Sequence, residues 1–159
     1  MKKIEIVINV NGESHNREIE SRKLLCDFLR DDLLLTGTKR GCETGVCGSC
    51  SVLRNGQLIK SCLSLAVQSD RSKIETIESL KNDDGTLHEL QNAFMENGGL
   101  QCGYCTPGFI MASLSLIRKK PNPSDLEIRE ALNGNLCRCT GYTQIIESVK
   151  AAIKKINEN

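Results

Sequence analysis

The 159-residue chain has no tryptophan, two tyrosines and three phenylalanines, so aromatic residues make up only 3% of it. It also lacks an excess of either charge: 21 lysines and arginines stand against 20 aspartates and glutamates, for a net charge of +1. That balance gives no electrostatic case for nucleic acid or an anionic membrane as a partner. No apolar run approaches the roughly 20 residues needed to span a bilayer. The opening MKKIEIVINVNGE has neither the apolar core nor the small-residue cleavage site of a secretory signal, and a cytoplasmic location is expected. There is no Rossmann glycine fingerprint and no phosphate-cradling loop. The only histidines, His15 and His88, lie far apart with no cysteine or carboxylate set around them, and they read as surface residues rather than ligands.

Cysteine, by contrast, is abundant. Nine occur in a chain whose length suits one ordinary domain or two small ones, and whose 39% hydrophobic content is enough for a core. In a reducing compartment, clustered cysteines more often bind metal or do redox work than form disulfides. Cys42, Cys47, Cys50 and Cys62 form a C-x4-C-x2-C-x11-C array. Cys102, Cys105, Cys137 and Cys139 form a second, C-x2-C-x31-C-x1-C. Cys26 stands alone, within an amphipathic segment, and reads as a small buried hydrophobe. Two sets of four suit two four-thiolate sites.

The surrounding pattern divides the chain into halves of different kind, with a boundary near 79–85. Residues 3–10 alternate with period two, and Asn11-Gly12 is a tight hairpin turn into a strand near 15–20. Residues 22–33 carry Leu25, Phe28, Leu29 and Leu33 at helical spacing. Strands are expected at 51–54 and 57–60 around Asn55-Gly56, and at 73–78, with a helix over 86–97. The second half predicts helices over 107–119, 124–133 and 141–156. Pro107 sits early in the first, and Ser124 with Glu127 forms a capping box for the second. The cysteines of the second set fall at helix ends.

The stretch GCETGVCGSC at 41–50 points to a particular chemistry. A C-x4-C-x2-C run with a distant fourth cysteine is the plant-type [2Fe-2S] spacing. Backbone N–H groups must turn toward the sulfurs there, and Gly41, Gly45 and Gly48 can adopt positive φ to allow it. Lys39 and Arg40 read as a solvated pair of surface charges. Zinc is the rival ligand, but structural zinc sites usually pair two short C-x2-C knuckles, and only Cys47–Cys50 and Cys102–Cys105 have that spacing. A thioredoxin-like role is weaker, since neither pair opens a helix after a βαβ strand.

GCETGVCGSC with Cys62, then QCGYCTPG and NLCRCTGY, together with LTGTKRGC and GYTQII, resemble the iron–sulfur subunit of molybdenum hydroxylases of the xanthine dehydrogenase family. The likeness spans nearly the whole chain, and the eleven-residue gap before Cys62 fits that family better than a lone plant-type ferredoxin. It implies an α+β architecture: a β-grasp, plant-type ferredoxin-like domain over residues 1–80, then a four-helix [2Fe-2S]-binding domain over 81–159. It implies one [2Fe-2S] cluster on Cys42, Cys47, Cys50 and Cys62, and a second on Cys102, Cys105, Cys137 and Cys139. It further implies a large subunit carrying a molybdenum-pterin cofactor, with Gln101 and Cys139 lying against the pterin, and a medium subunit carrying FAD. The assembly would be a heterotrimer or a dimer of heterotrimers. The chain would be the electron-transfer subunit of an oxidoreductase, with no substrate turnover of its own.

Several residues also have plain structural readings. Phe109, Ile110, Met111, Leu114 and Ile117 are expected in a helix core with a subunit contact. Tyr104 and Tyr142 are expected to shield the second cluster from water, and Arg138 to make a salt bridge or a cofactor-side contact. The alternative role is an independent two-cluster carrier between soluble partners, which usually needs a strongly charged docking face that this composition does not supply.

Overall fold

The computed structural model describes residues 2–82 and 84–158. Strands β1 (Lys3–Val10) and β2 (Glu13–Glu20) pair antiparallel from Val10↔Glu13 to Lys3↔Glu20. Asn11 and Gly12 both take positive φ, as a two-residue hairpin turn requires. Asn55-Gly56 does the same between β3 (Ser51–Arg54) and β4 (Gln57–Lys60). A short β5 (Lys73–Glu75) completes a five-stranded sheet in the order β2-β1-β5-β3-β4, parallel to β1 and antiparallel to β3. Ile6, Ile8 and Val10 point inward from β1 onto Leu25, Phe28 and Leu29, all nearly or fully buried.

Two expectations are corrected here. The helix read over 22–33 is one α turn, α1 (Leu25–Asp27), followed by a wider π turn at Phe28–Asp32. The apolar spacing is real through Leu29, but the next three residues offer no apolar side chain to bury. Instead Arg30 Nη1 reaches the carbonyls of Thr36 (2.9 Å) and Thr38 (2.8 Å), and Lys23 pairs with Asp32, which turns the chain toward the cysteine loop. The strand read over 73–78 stops at Glu75, and a 3-10 turn follows at Ile77–Leu80. The hairpin residue Asn11 ends it, donating to Thr76 Oγ1 and accepting the Thr76 N–H, both at 2.9 Å.

Four helices follow the sheet: α2 (Glu89–Glu96), α3 (Thr106–Lys119), α4 (Asp125–Leu132) and α5 (Thr143–Glu158). The α+β order inferred from sequence is the observed one. His88 lies outside α2 as its cap, with Nδ1 accepting the Leu90 N–H at 3.1 Å. Phe94, Phe109, Met111, Ile128, Ile145 and Val149 fill the helical core. β3 belongs to both cores: Val52 packs among the strand and α1 side chains, and its neighbour Leu53 packs among the helices. Because successive strand residues point to opposite faces, one strand serves both halves. Among the described residues no helix is long and apolar enough to cross a membrane.

The capping box of α4 is formed as its sequence indicates. Ser124 Oγ accepts the Glu127 N–H, and Glu127 Oε2 accepts from the Ser124 N–H (2.8 Å) and hydroxyl (2.9 Å). Ser124→Ala is expected to cost about 1 kcal/mol in denaturant unfolding. The Glu127 carboxylate is held down at about 2 by Lys120 Nζ and by the Ser124 N–H and hydroxyl. Its contribution is therefore present above its ordinary value of 4.5 and lost as pH falls through about 2. A Glu127→Gln variant should flatten that part of the stability–pH profile; an unchanged acid limb contradicts the assignment.

Candidate metal centres

The first cysteine set lies on two loops of the sheet half. Cys42 and Cys47 sit in the loop leading to β3, Cys50 immediately precedes β3, and Cys62 follows β4. The β3–β4 ladder, with Ser51 opposite Lys60, draws Cys50 and Cys62 together, and the Cys50 carbonyl accepts the Ser61 hydroxyl at 2.8 Å. Both thiols are buried, in one cluster with Cys26. Cys42 Sγ instead accepts N–H groups from Thr44 (3.4 Å) and Cys47 (3.3 Å). Hydrogen bonds from the Thr44 hydroxyl and from these two amides bring Cys42 down to about 6. Burial pushes Cys62 up to about 11 and the ninth thiol, Cys26, up to about 12.

The glycines of the loop do two different jobs. Gly45 and Gly48 take positive φ, as does Glu43. Gly41 does not, which corrects the reading of it as a left-handed residue. It is small because a Cβ there would stand 2.9 Å from Cys47 Sγ. Arg40 pairs with Asp27 (2.7 Å) and Glu43 (2.9 Å), so its charge is neutralised locally rather than solvated alone.

The second set gathers at one end of the helical half. Cys102 and Cys105 precede α3, and Cys137 and Cys139 lie between α4 and α5. The sulfurs of Cys102 and Cys139 are 3.6 Å apart and exposed, whereas Cys105 is buried beside Cys137. Burial pushes Cys105 up to about 12. Burial opposes ionisation at Cys137 too, but bonds from the Thr140 hydroxyl (3.1 Å) and N–H (3.4 Å) outweigh it and bring that thiol to about 7. Tyr142 accepts the Cys137 N–H at 3.0 Å and packs edge-on against Phe109. Tyr104, expected to screen the second site, sends its hydroxyl to the Arg40 carbonyl of the first loop at 2.6 Å. Gln101 and Arg138 are exposed on the same rim as Cys102 and Cys139.

The two loops touch. The Leu136 N–H, next to Cys137, donates to the Cys47 carbonyl at 2.9 Å. Asn135 Nδ2, buried, donates to the Gly48 carbonyl at 3.1 Å, and Lys60 Nζ donates to the Gly134 carbonyl at 2.9 Å. Gly108 in the first turn of α3 lies against Gly48, where a Cβ would collide with the Gly48 carbonyl oxygen. Sequence reading did not single out Asn135, Gly108 or Lys60 in this role. The local signal for Gly108 is its place after Pro107 in the QCGYCTPG motif, which marks a helix start and the family likeness but not a contact with Gly48.

The donor set suits [2Fe-2S] clusters. Such a cluster takes four thiolates, and each cysteine set supplies four. Among the described residues, no three histidine, cysteine, aspartate or glutamate side chains converge on a single ion. Neighbouring thiols are Cys50 and Cys62 with Cys26 beside them, Cys102 and Cys139, and Cys105 and Cys137. Amides and hydroxyls directed at Cys42 and Cys137 stabilise anionic sulfur.

Known proteins share these domains and this fold. A family model described as a 2Fe-2S iron-sulfur cluster binding domain matches residues 8–76, and one described as a [2Fe-2S] binding domain matches residues 76–150. The chain is 52% identical over 149 residues to the 6-hydroxypseudooxynicotine dehydrogenase complex subunit beta of Paenarthrobacter nicotinovorans, covering 93% of this chain and 92% of that one. It is 46% identical over 155 residues to the nicotinate dehydrogenase small FeS subunit of Eubacterium barkeri, covering 98% of each. In the crystal structure of quinoline 2-oxidoreductase from Pseudomonas putida 86, one chain superposes with a TM-score of 0.93 at 42% identity, covering 100% of this chain and 99% of that chain. The aldehyde oxidoreductase of Desulfovibrio gigas matches with a TM-score of 0.91 at 40% identity, but there the match covers 98% of this chain and only 17% of the other. Fold and matched domains thus define a two-domain [2Fe-2S] iron–sulfur protein. Within that class, the chain belongs to the small iron–sulfur subunits of the xanthine dehydrogenase-family molybdenum hydroxylases.

Contact between the loops makes Gly108 a sensitive position. Gly108→Ala is expected to force the Gly48 and Asn135 segments apart at a cost of about 1–3 kcal/mol. Iron content per chain should fall with it. Wild-type stability and iron content in that variant would show that the loops do not need this approach.

Proposed function

We propose that this chain is the electron-conducting subunit of a molybdenum hydroxylase, passing electrons from a molybdenum-pterin cofactor on a large subunit to FAD on a medium subunit. In this reading residues 1–80 hold one [2Fe-2S] cluster on Cys42, Cys47, Cys50 and Cys62, and residues 81–159 hold another on Cys102, Cys105, Cys137 and Cys139. When bound, each cluster supplies one-electron uptake and release. The observation that carries the proposal is the direct hydrogen bond from Leu136, beside Cys137, to the carbonyl of Cys47, a residue of the other set. It ties the two cysteine loops together with no intervening element.

Each residue has a limited task. The eight thiolates hold iron. The N–H groups of Thr44 and Cys47, and the N–H and hydroxyl of Thr140, stabilise the sulfurs they bond. Exposure of Gln101, Cys102 and Cys139 leaves one side of the second site open, and this is the side assigned to the pterin cofactor. No group in the chain is assigned to substrate chemistry, so hydroxylation of a purine, N-heterocycle or aldehyde, or reductive use on an aromatic thioester, belongs to the large subunit. The assembly would be a heterotrimer or a dimer of heterotrimers in the cytoplasm.

Anaerobic purification from the source cell tests this. The chain should co-purify with two larger chains carrying molybdenum and flavin, and should contain about four irons and four acid-labile sulfides. A lone chain with the same iron content would favour the independent carrier, and zinc without sulfide would overturn both readings.

A further inference from the structure

Among the described residues, Lys60 is a partly buried cation with no carboxylate partner. It ends β4, two residues before Cys62, and its side chain is half-buried. Its Nζ donates to two uncharged oxygens, Ser51 Oγ at 3.0 Å and the Gly134 carbonyl at 2.9 Å. Among the described residues Lys60 forms no ion pair; of the other lysines without one, Lys2, Lys73, Lys81 and Lys119 are exposed and only Lys39 is also partly buried. Partial burial of an unpaired charge is costly unless an opposite charge lies nearby. The cysteines beside it along the chain and across the ladder belong to the first set: Cys62 follows Lys60 by two residues, and Cys50 precedes Ser51, which lies opposite Lys60 and accepts from its Nζ. On the other side Lys60 reaches the second half through Gly134, three residues before Cys137.

We propose that Lys60 is a positioning residue that sets the reduction potential of the first cluster relative to the second and gives the relay its direction. The inference rests on the electron-transfer reading above. Reduction adds one negative charge at a site, and a fixed positive charge in a partly desolvated setting favours that reduced form. Since Lys60 stands on the ladder between Cys50 and Cys62, its charge raises the first potential more than the second. An electron leaving the second site, which is thereby oxidised, then finds the first easier to reduce. The same ammonium grips the Gly134 carbonyl one residue from Asn135, so it is tied to the loop contact that the electron crosses.

The test uses the intact complex, or the full chain with its clusters, and compares Lys60→Met, Lys60→Gln and Lys60→Arg in potentiometric titrations followed by electron paramagnetic resonance. Loss of the charge in the Met and Gln variants is expected to weaken reduction of the first cluster about tenfold, or about 59 mV for one electron. The second cluster should move less, and Lys60→Arg should stay near wild type. Unchanged potentials in the Met variant, or equal shifts at both clusters, overturn the proposal. If the Met and Gln variants cannot retain the first cluster while the Arg variant can, Lys60 holds the cluster rather than setting its potential, and the proposal falls. If the Arg variant also fails, side-chain shape rather than charge is at work, and the proposal falls. Absence of two clusters from the unmutated protein would instead defeat the electron-transfer reading, independently of the variants.

Discussion

The hydrogen bond from the Leu136 N–H to the Cys47 carbonyl is the constraint around which the rest is arranged. Its donor lies next to one cysteine of the second set, and its acceptor belongs to a cysteine of the first. For that bond to form, two irregular loops must lie against each other without Cβ atoms between them. Gly48 and Gly108 meet the steric demand, and Asn135 occupies the Gly48 carbonyl on the flank. Tyr104 and Lys60 fasten the contact at two further points. Buried backbone groups need partners, and the Gly48 carbonyl finds them in both loops, in Ser51 of its own and Asn135 of the other.

The two sites differ in their relation to solvent. In the first set, Cys50 and Cys62 are buried with Cys26 behind them, and Cys42 is bonded by amides of its own loop. In the second, Cys105 is buried while Cys102 and Cys139 are exposed beside Gln101 and Arg138. Solvent access and hydrogen bonding to sulfur are the levers by which a protein sets cluster potentials. Two sites built so differently within one chain suit a pair of centres with distinct potentials.

Much of this was legible because it is local. The two Asn-Gly hairpins, the α4 capping box and the proline-led start of α3 are each written within a few residues, and each appears in the structure. The misreadings arose where side-chain hydrogen bonds, one set local and one from across the sheet, overrode a periodic pattern. Periodicity implied a longer helix beyond Leu29, but bonds from Arg30 to Thr36 and Thr38 redirected the chain. Alternation implied a longer β5, but Asn11 bonded Thr76 across 65 residues and ended it. The inter-loop contacts lay outside what local pattern can encode, since Lys60–Gly134 and Asn135–Gly48 join positions 74 and 87 residues apart. A glycine needed for close approach, such as Gly108, looks in sequence like any glycine near a proline.

Adjacent sites have a direct spectroscopic consequence. Clusters held on the two cysteine sets would lie close enough to sense each other through the shared loop contact. The decisive measurement is low-temperature electron paramagnetic resonance of the protein poised first with one cluster reduced and then with both. Two distinct [2Fe-2S] signals, each broadened or split when its neighbour is also reduced, are the predicted result. Two signals that remain unchanged on full reduction, or a single signal accounting for all the iron, would contradict it.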